Sequence, residues 1–246
     1  MIFLNLKFSF IITSLAGLST LLGTIPIFFK IKNINKFIVS SLSFAAGVMF
    51  FVSTFDLLIE SLKLFSDNYN PLTSVTLFLI LFLGGVLLSK LVNSIPESNA
   101  LYKIGVVSMF TIILHNIPEG ILTFVASNVN QKLGMSLALA VAMHNIPEGI
   151  SIAVPIFLST GSRKKALLFT FVSALSEPIG ALIAYLFLKN IMDGVLLAVL
   201  FSLVCGIMIY LSLFELLKEA KKYHEEQLLN IFFIIGMLFM FIALKI

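Results

Sequence analysis

Eight long apolar runs divide this chain of 246 residues, and they leave it little to fold into except a bundle of membrane-crossing helices. The runs cover 8–29, 37–62, 72–93, 104–127, 135–159, 165–188, 191–217 and 228–244. Each has about 17 residues or more, enough for a helix to cross roughly 30 Å of hydrocarbon. Nothing alternates with period two over about ten residues, so a membrane barrel is excluded. Hydrophobic residues make up 59% of the chain and Asp, Glu, Lys and Arg together only 11%. That is too little charge to cover a water-soluble globule, so a soluble enzyme is excluded. The single cysteine, Cys205, rules out a disulfide scaffold. The expected fold class is therefore all-α, a polytopic membrane protein with eight transmembrane helices in a single domain over 1–246. The loops are short and add no soluble domain. Asn68-Tyr69-Asn70-Pro71 and Ser159-Thr160-Gly161-Ser162 read as turns, and a further turn is expected at 128–134. The first run continues to Phe29, too long for the apolar stretch of a secretory signal, and is expected to be a true span.

Lys and Arg set the expected orientation. One set of loops carries Lys30, Lys32, Lys36, Lys90, Lys103, Arg163, Lys164, Lys165, Lys218, Lys221 and Lys222. The other set, with both ends, carries only Lys7, Lys63, Lys132, Lys189 and Lys245. The richer side is expected to be cytoplasmic, with the N and C termini outside.

Three of the runs carry related polar motifs. The fourth contains His115-Asn116-Ile117-Pro118-Glu119-Gly120, and the fifth repeats it as His144-Asn145-Ile146-Pro147-Glu148-Gly149. The sixth contains Ser176-Glu177-Pro178-Ile179-Gly180. A charge near the centre of a bilayer costs at least a few kcal/mol, so such residues point to function. Glu119, Glu148 and Glu177 follow one another at intervals of 29 residues, each with one turn between. Counted from those turns, all three carboxylates are expected at roughly 13–21 Å depth, at similar heights. They would repel unless cations or protons sat between them, so metal binding is expected to release protons.

At about 100° per residue, Glu119 projects between His115 and Asn116, and Glu148 between His144 and Asn145. If the two motifs face each other, the glutamates can bridge two cations. One would see the imidazoles of His115 and His144; the other would see the amide oxygens of Asn116 and Asn145, with Glu177 able to complete that side. Pro118 and Pro147 each remove a backbone donor and are expected to kink the helices at the ligands. Gly120 and Gly149 allow a neighbouring helix to come close. Two imidazoles with carboxylates suit Zn²⁺ first, then Fe²⁺, Mn²⁺, Co²⁺ or Cd²⁺. Cu(I) would want sulfur, and Ca²⁺ or Mg²⁺ would not need imidazole.

The doubled hexapeptide, set in eight spans with both ends outside, resembles the signature of the ZIP family of divalent-metal transporters, in particular its short bacterial zinc-uptake branch. The resemblance implies a binuclear centre halfway along a transport path, two three-helix repeats around a central helix pair, uptake toward the cytosol, and a multi-pass place in a prokaryotic cell membrane. Carried over residue by residue, one site is His115, Glu119, His144 and Glu148; the second is Asn116, Glu119, Asn145, Glu148 and Glu177. Many members have a His-rich loop between the third and fourth spans. Here 94–103 contains no histidine, which puts metal sensing by that loop in doubt.

Other polar residues are less telling. Asp56 and Glu60 lie one turn apart near the outer end of the second run, where they read equally as cation capture or an ordinary helix end. Glu215 reads better as a solvated helix terminus with Lys218 than as an exit marker. His224 reads as part of a solvated loop. No phosphate-binding Gly-rich loop exists, so transport would run on gradients. The expected partners are the metal ion as substrate and the lipid bilayer, with a homodimer left open and neither nucleic acid nor organic cofactor. The competing readings are a membrane-embedded metallohydrolase using the same cluster, and a metal-gated sensor or pore. The hydrolase needs a spare general base that the motif does not provide.

Overall fold

The computed structural model describes residues 5–94, 99–187 and 194–244, and these contain helices and turns and no strand. Eight helices are long and apolar enough to cross a membrane: Leu6–Phe28, Ile34–Ser66, Pro71–Leu91, Ala100–Val129, Gln131–Thr160, Arg163–Phe187, Gly194–Lys221 and Glu226–Ala243. We number these spans one to eight. Every end lies within four residues of the corresponding apolar run. Lys189, Lys245 and loop positions 95–98, used in the sequence reading, lie outside the described residues.

The spans alternate in direction. Gln131, at the start of span five, bonds to Asn5 at the start of span one (Nε2 to Oδ1, 3.0 Å). Arg163, at the start of span six, donates to Ile27 O at the far end of span one. The turn expected over 128–134 is much tighter. Only Asn130 leaves the helix, and its Oδ1 accepts from Lys132 N and Leu133 N, capping span five while span four ends at Val129. The later turn is closed by Gly161 at φ 66, a left-handed position that suits glycine; Ser159 and Thr160 remain helical.

Spans four and five run as unbroken helices through Pro118 and Pro147. The irregular turns lie elsewhere. Span one tightens to a 3₁₀ helix over Ser19–Phe28, spans two and seven contain π turns at Ser53–Leu57 and Leu211–Leu216, and span six breaks at Leu175. A proline inside a helix withdraws one donor, and these two helices carry on around that loss. Pro178 sits in the first turn of Ser176–Phe187, where a missing N–H has no cost.

Four helix crossings hold the bundle, each built on a reciprocal glycine pair. Span two meets span eight at Gly47 and Gly236, and span three meets span seven at Gly85 and Gly206. Span four meets span six at Gly120 and Gly180, and span five meets span one at Gly149 and Gly23. A Cβ on any of these would overlap backbone of the facing helix. Helices in lipid associate by close packing, and small residues permit it. Exchanging spans one to three with six to eight, and four with five, maps this set of crossings onto itself. The exchange shifts every span by an odd number of places, so the two three-helix units run in opposite directions. This is the repeat organisation that the resemblance implied.

Candidate metal centre

The two hexapeptides meet because spans four and five form a hairpin about Asn130. His115 and Asn116 precede Asn130 by fifteen and fourteen residues, and His144 and Asn145 follow it by fourteen and fifteen. The four therefore form one layer. Glu119 lies eleven residues before the turn and Glu148 eighteen after it. Along the helices this separates their backbones by about 10 Å, with the His and Asn layer between them. The depths expected from the sequence already differed by about 8 Å for this pair, and the one-residue turn at Asn130 widens that to about 10 Å.

The carboxylates nevertheless reach the layer. His144 Nε2 and Glu119 Oε2 are hydrogen-bonded at 3.0 Å, and His115 Nε2 lies 3.2 Å from Glu119 Oε1. On the other side His115 Nε2 is 3.6 Å from Glu148 Oε1. The imidazole rings are 6.0 Å apart. His115, His144 and Glu148 each offer a ligand atom within 4.8 Å of the others, a spacing that one cation can span. All these side chains are buried.

Glu177 arrives from span six. It stands in the first turn of Ser176–Phe187, where backbone N–H groups favour a carboxylate. Gly120 lets it approach, since a Cβ there would fall on the backbone of Glu177. Asn145 Nδ2 donates to Glu177 Oε1 at 2.5 Å and to Ala16 O at 2.9 Å. That uses up the amide N–H₂ and leaves Asn145 Oδ1 as an acceptor. Asn116 faces Glu148. Five buried oxygens here have no hydrogen-bond partner: Asn116 Oδ1, Asn145 Oδ1, both carboxylate oxygens of Glu148, and Glu177 Oε2. Asn116 Nδ2, both ring nitrogens of His115 and His144 Nδ1 are unpaired beside them. Each unpaired buried polar atom costs about 1–3 kcal/mol, and a cluster of carboxylate and amide oxygens with imidazole nitrogens suits a metal cation. All seven residues singled out from the sequence come together.

The structure adds two acidic residues to the surroundings. Asp56 and Glu60 line a cavity of about 300 Å³ together with Glu119, Thr123 and His144. Its rim includes the exposed Leu133, and Glu119 and His144 form its floor, on the Asn130 side of the layer. Asp56 lies in the π turn of span two, which shifts the helix register just where the acid faces the cavity. The spacing of Asp56 and Glu60 was visible in the sequence; their distance from the histidines was not. Glu215 is buried, with Tyr210, Lys103 and Lys218 around it, so the reading of a solvated terminus is corrected. His224 takes φ 56 in the turn before span eight, a structural place.

The family described as "ZIP Zinc transporter" matches residues 94–244. The chain is 36% identical to the zinc transporter ZupT of Clostridium perfringens, over 98% of this chain and 96% of that protein. It is 37% identical to the zinc transporter ZupT of Streptococcus mutans, over 96% of each. It is 38% identical to that of Lysinibacillus sphaericus, over 98% of this chain and 97% of the relative.

Proposed function

Because the chain belongs to the ZIP zinc transporter family, we propose that it imports divalent metal, zinc foremost, into the cytosol through the paired His, Asn and Glu layer. The single observation that carries this reading is the group of five unpartnered oxygens beside two imidazoles, buried among membrane-spanning helices. His115, Glu119, His144 and Glu148 form one site; Asn116, Asn145, Glu148 and Glu177, with Glu119 from the first, form the other. The whole of 1–246 acts as one transport domain in a prokaryotic cell membrane, with both termini outside by the lysine bias. On that orientation the cavity opens outward.

Metal passes Asp56 and Glu60, exchanges water for carboxylate and imidazole, and leaves as the helix groups rock. The proton shared between His144 Nε2 and Glu119 Oε2 must depart before both atoms can ligate, so binding releases protons. Fe²⁺, Mn²⁺, Co²⁺ and Cd²⁺ fit the same donors. Carrier action in preference to hydrolysis is supported by Glu119, both of whose oxygens face imidazoles, so that it is not spared as a general base for water. Purified protein in liposomes tests the reading. Radiolabelled Zn²⁺ accumulates with wild type and not with Glu148→Ala or His144→Ala. Equal uptake by all three removes the assigned site, and hydrolysis of a lipid or peptide without flux favours the enzyme.

A further inference from the structure

The lysine-rich end of the bundle carries a second pocket, away from the metal centre. Span one ends there at Phe28, span two begins at Ile34, span five ends at Thr160 and span six begins at Arg163. Between these four helix ends lies a cavity of about 340 Å³. One side of it is apolar, built from Phe29, Ile34, Phe157 and Leu158, of which Phe29 and Ile34 are exposed. The other side is basic, with Lys30 and Arg163. It shares no lining residue with the cavity above the histidines. Leu158 stands ten residues beyond Glu148 on span five, about 15 Å along the helix.

Arg163 is held in place. Its Nε–H donates to Ile27 O at 3.2 Å, and its Cζ lies 5.6 Å from the ring centre of Phe28 and 5.7 Å from that of Phe157. The bond to Ile27 uses Nε and leaves the two Nη groups, a planar fork of donors that matches the oxygens of a phosphate. The ion pairs among the described residues involve Lys63, Lys222, His115 and His144, and none reaches Arg163 or Lys30. The sequence explains why. No Asp or Glu occurs before Asp56, nor from Gly149 to Ser176. The two connections at this end, with the first helical turns that follow them, carry Lys30, Lys32, Lys36, Arg163, Lys164 and Lys165, all exposed. Ser162 Oγ caps span six by accepting from Lys165 N, so a helix N-terminus, itself partially positive, borders the same pocket.

A fixed cation without a carboxylate, set beside an exposed apolar wall where membrane helices end, fits a molecule that is anionic at one end and oily at the other. We propose that this pocket binds the phosphate headgroup of one anionic phospholipid. The Arg163 fork and Lys30 take the phosphate oxygens, and an acyl chain runs along Phe29, Ile34, Phe157 and Leu158. Basic pockets between membrane helices suit such headgroups. The lipid touches the ends of spans one, two, five and six together. It therefore fastens the 3₁₀ end of span one to the helix that carries His144 and Glu148.

The site does not depend on the transport reading and is tested without flux. Purified protein in neutral detergent is stripped of lipid, then titrated with phosphatidylglycerol or with phosphatidylcholine of the same chains. Phosphatidylglycerol raises the thermal midpoint and one molecule stays bound per chain in native mass spectrometry, while phosphatidylcholine does neither. Lys30→Gln, which removes no ion pair or hydrogen bond among the described residues, weakens phosphatidylglycerol binding about fivefold, the loss expected for one cation near a membrane surface. Arg163→Gln weakens it at least as much. Because that variant also loses the bond to Ile27 O, it is read by the preference for phosphatidylglycerol over phosphatidylcholine and not by the midpoint. Lys132→Gln removes an equal charge from an exposed position at the opposite end of span five and keeps the preference. Equal binding of the two lipids by wild type overturns the site, as does an unchanged preference in Lys30→Gln and Arg163→Gln. A loss in Lys132→Gln as large as in Lys30→Gln marks a general effect of charge and overturns it too. So does full stabilisation by inorganic phosphate alone, since the apolar wall would then hold nothing.

Discussion

The imidazole half of the metal centre and its oxygen half differ in how far the protein satisfies them by itself. Glu119 sets one oxygen against each histidine, at 3.2 and 3.0 Å, so the carboxylate of that half faces two imidazoles, while three of the four ring nitrogens have no hydrogen-bond partner. Across the layer, Glu148, Asn116, Asn145 and Glu177 bring acceptors together and leave five of them unpaired. The first half can form before an ion arrives. The second gains most from one, because an unpaired acceptor in a dry site has no water to fall back on.

The comparison can be broken at the residue the two halves share. Glu148→Ala is expected to reduce Zn²⁺ uptake into liposomes by at least about 100-fold, beyond the 10–100-fold typical of losing a partner outside the ligand set. Gly149→Ala comes next. A Cβ there overlaps Thr20 O and presses span one off span five, so the thermal midpoint in detergent should fall, in line with overpacking costs of about 1–3 kcal/mol. His115→Ala removes the imidazole half alone. Elemental analysis should find bound zinc falling from near two per chain toward one, and a value still near two would show that the halves are not separate sites. Glu177→Gln keeps the bond to Asn145 and removes charge from the oxygen half alone, so it should weaken zinc binding by titration less than Glu148→Ala. Asp56→Asn touches neither half. It should raise KM for uptake about two- to fivefold with little change in maximal rate, an effect that shrinks in high salt.

The seven centre residues were legible because the hexapeptide is written twice and an acidic residue is expensive in lipid. Helical period then placed Glu119 on the side of His115, which it meets at 3.2 Å. Depth was less exact: the Asn130 turn consumes one residue, and the boundary shift adds about 3 Å to the offset between Glu119 and Glu148. Pro118 and Pro147 do not end their helices, and the π turns at Ser53–Leu57 and Leu211–Leu216 carry no proline to mark them. Glu215 looked solvated because Lys218 follows it, while the residues that bury it come from distant parts of the chain.

Local order in the chain was sufficient for the eight spans, for the faces of spans four and five, and for the chemistry of the donors. These depend on run length, helical period and the cost of charge in hydrocarbon, all properties of neighbours in sequence. Which helices cross, how Gly120 admits Glu177, which acceptors lack partners and which end holds the cavity were decided in three dimensions. They depend on contacts between spans far apart in the chain, and no local pattern encodes a distance across a bundle.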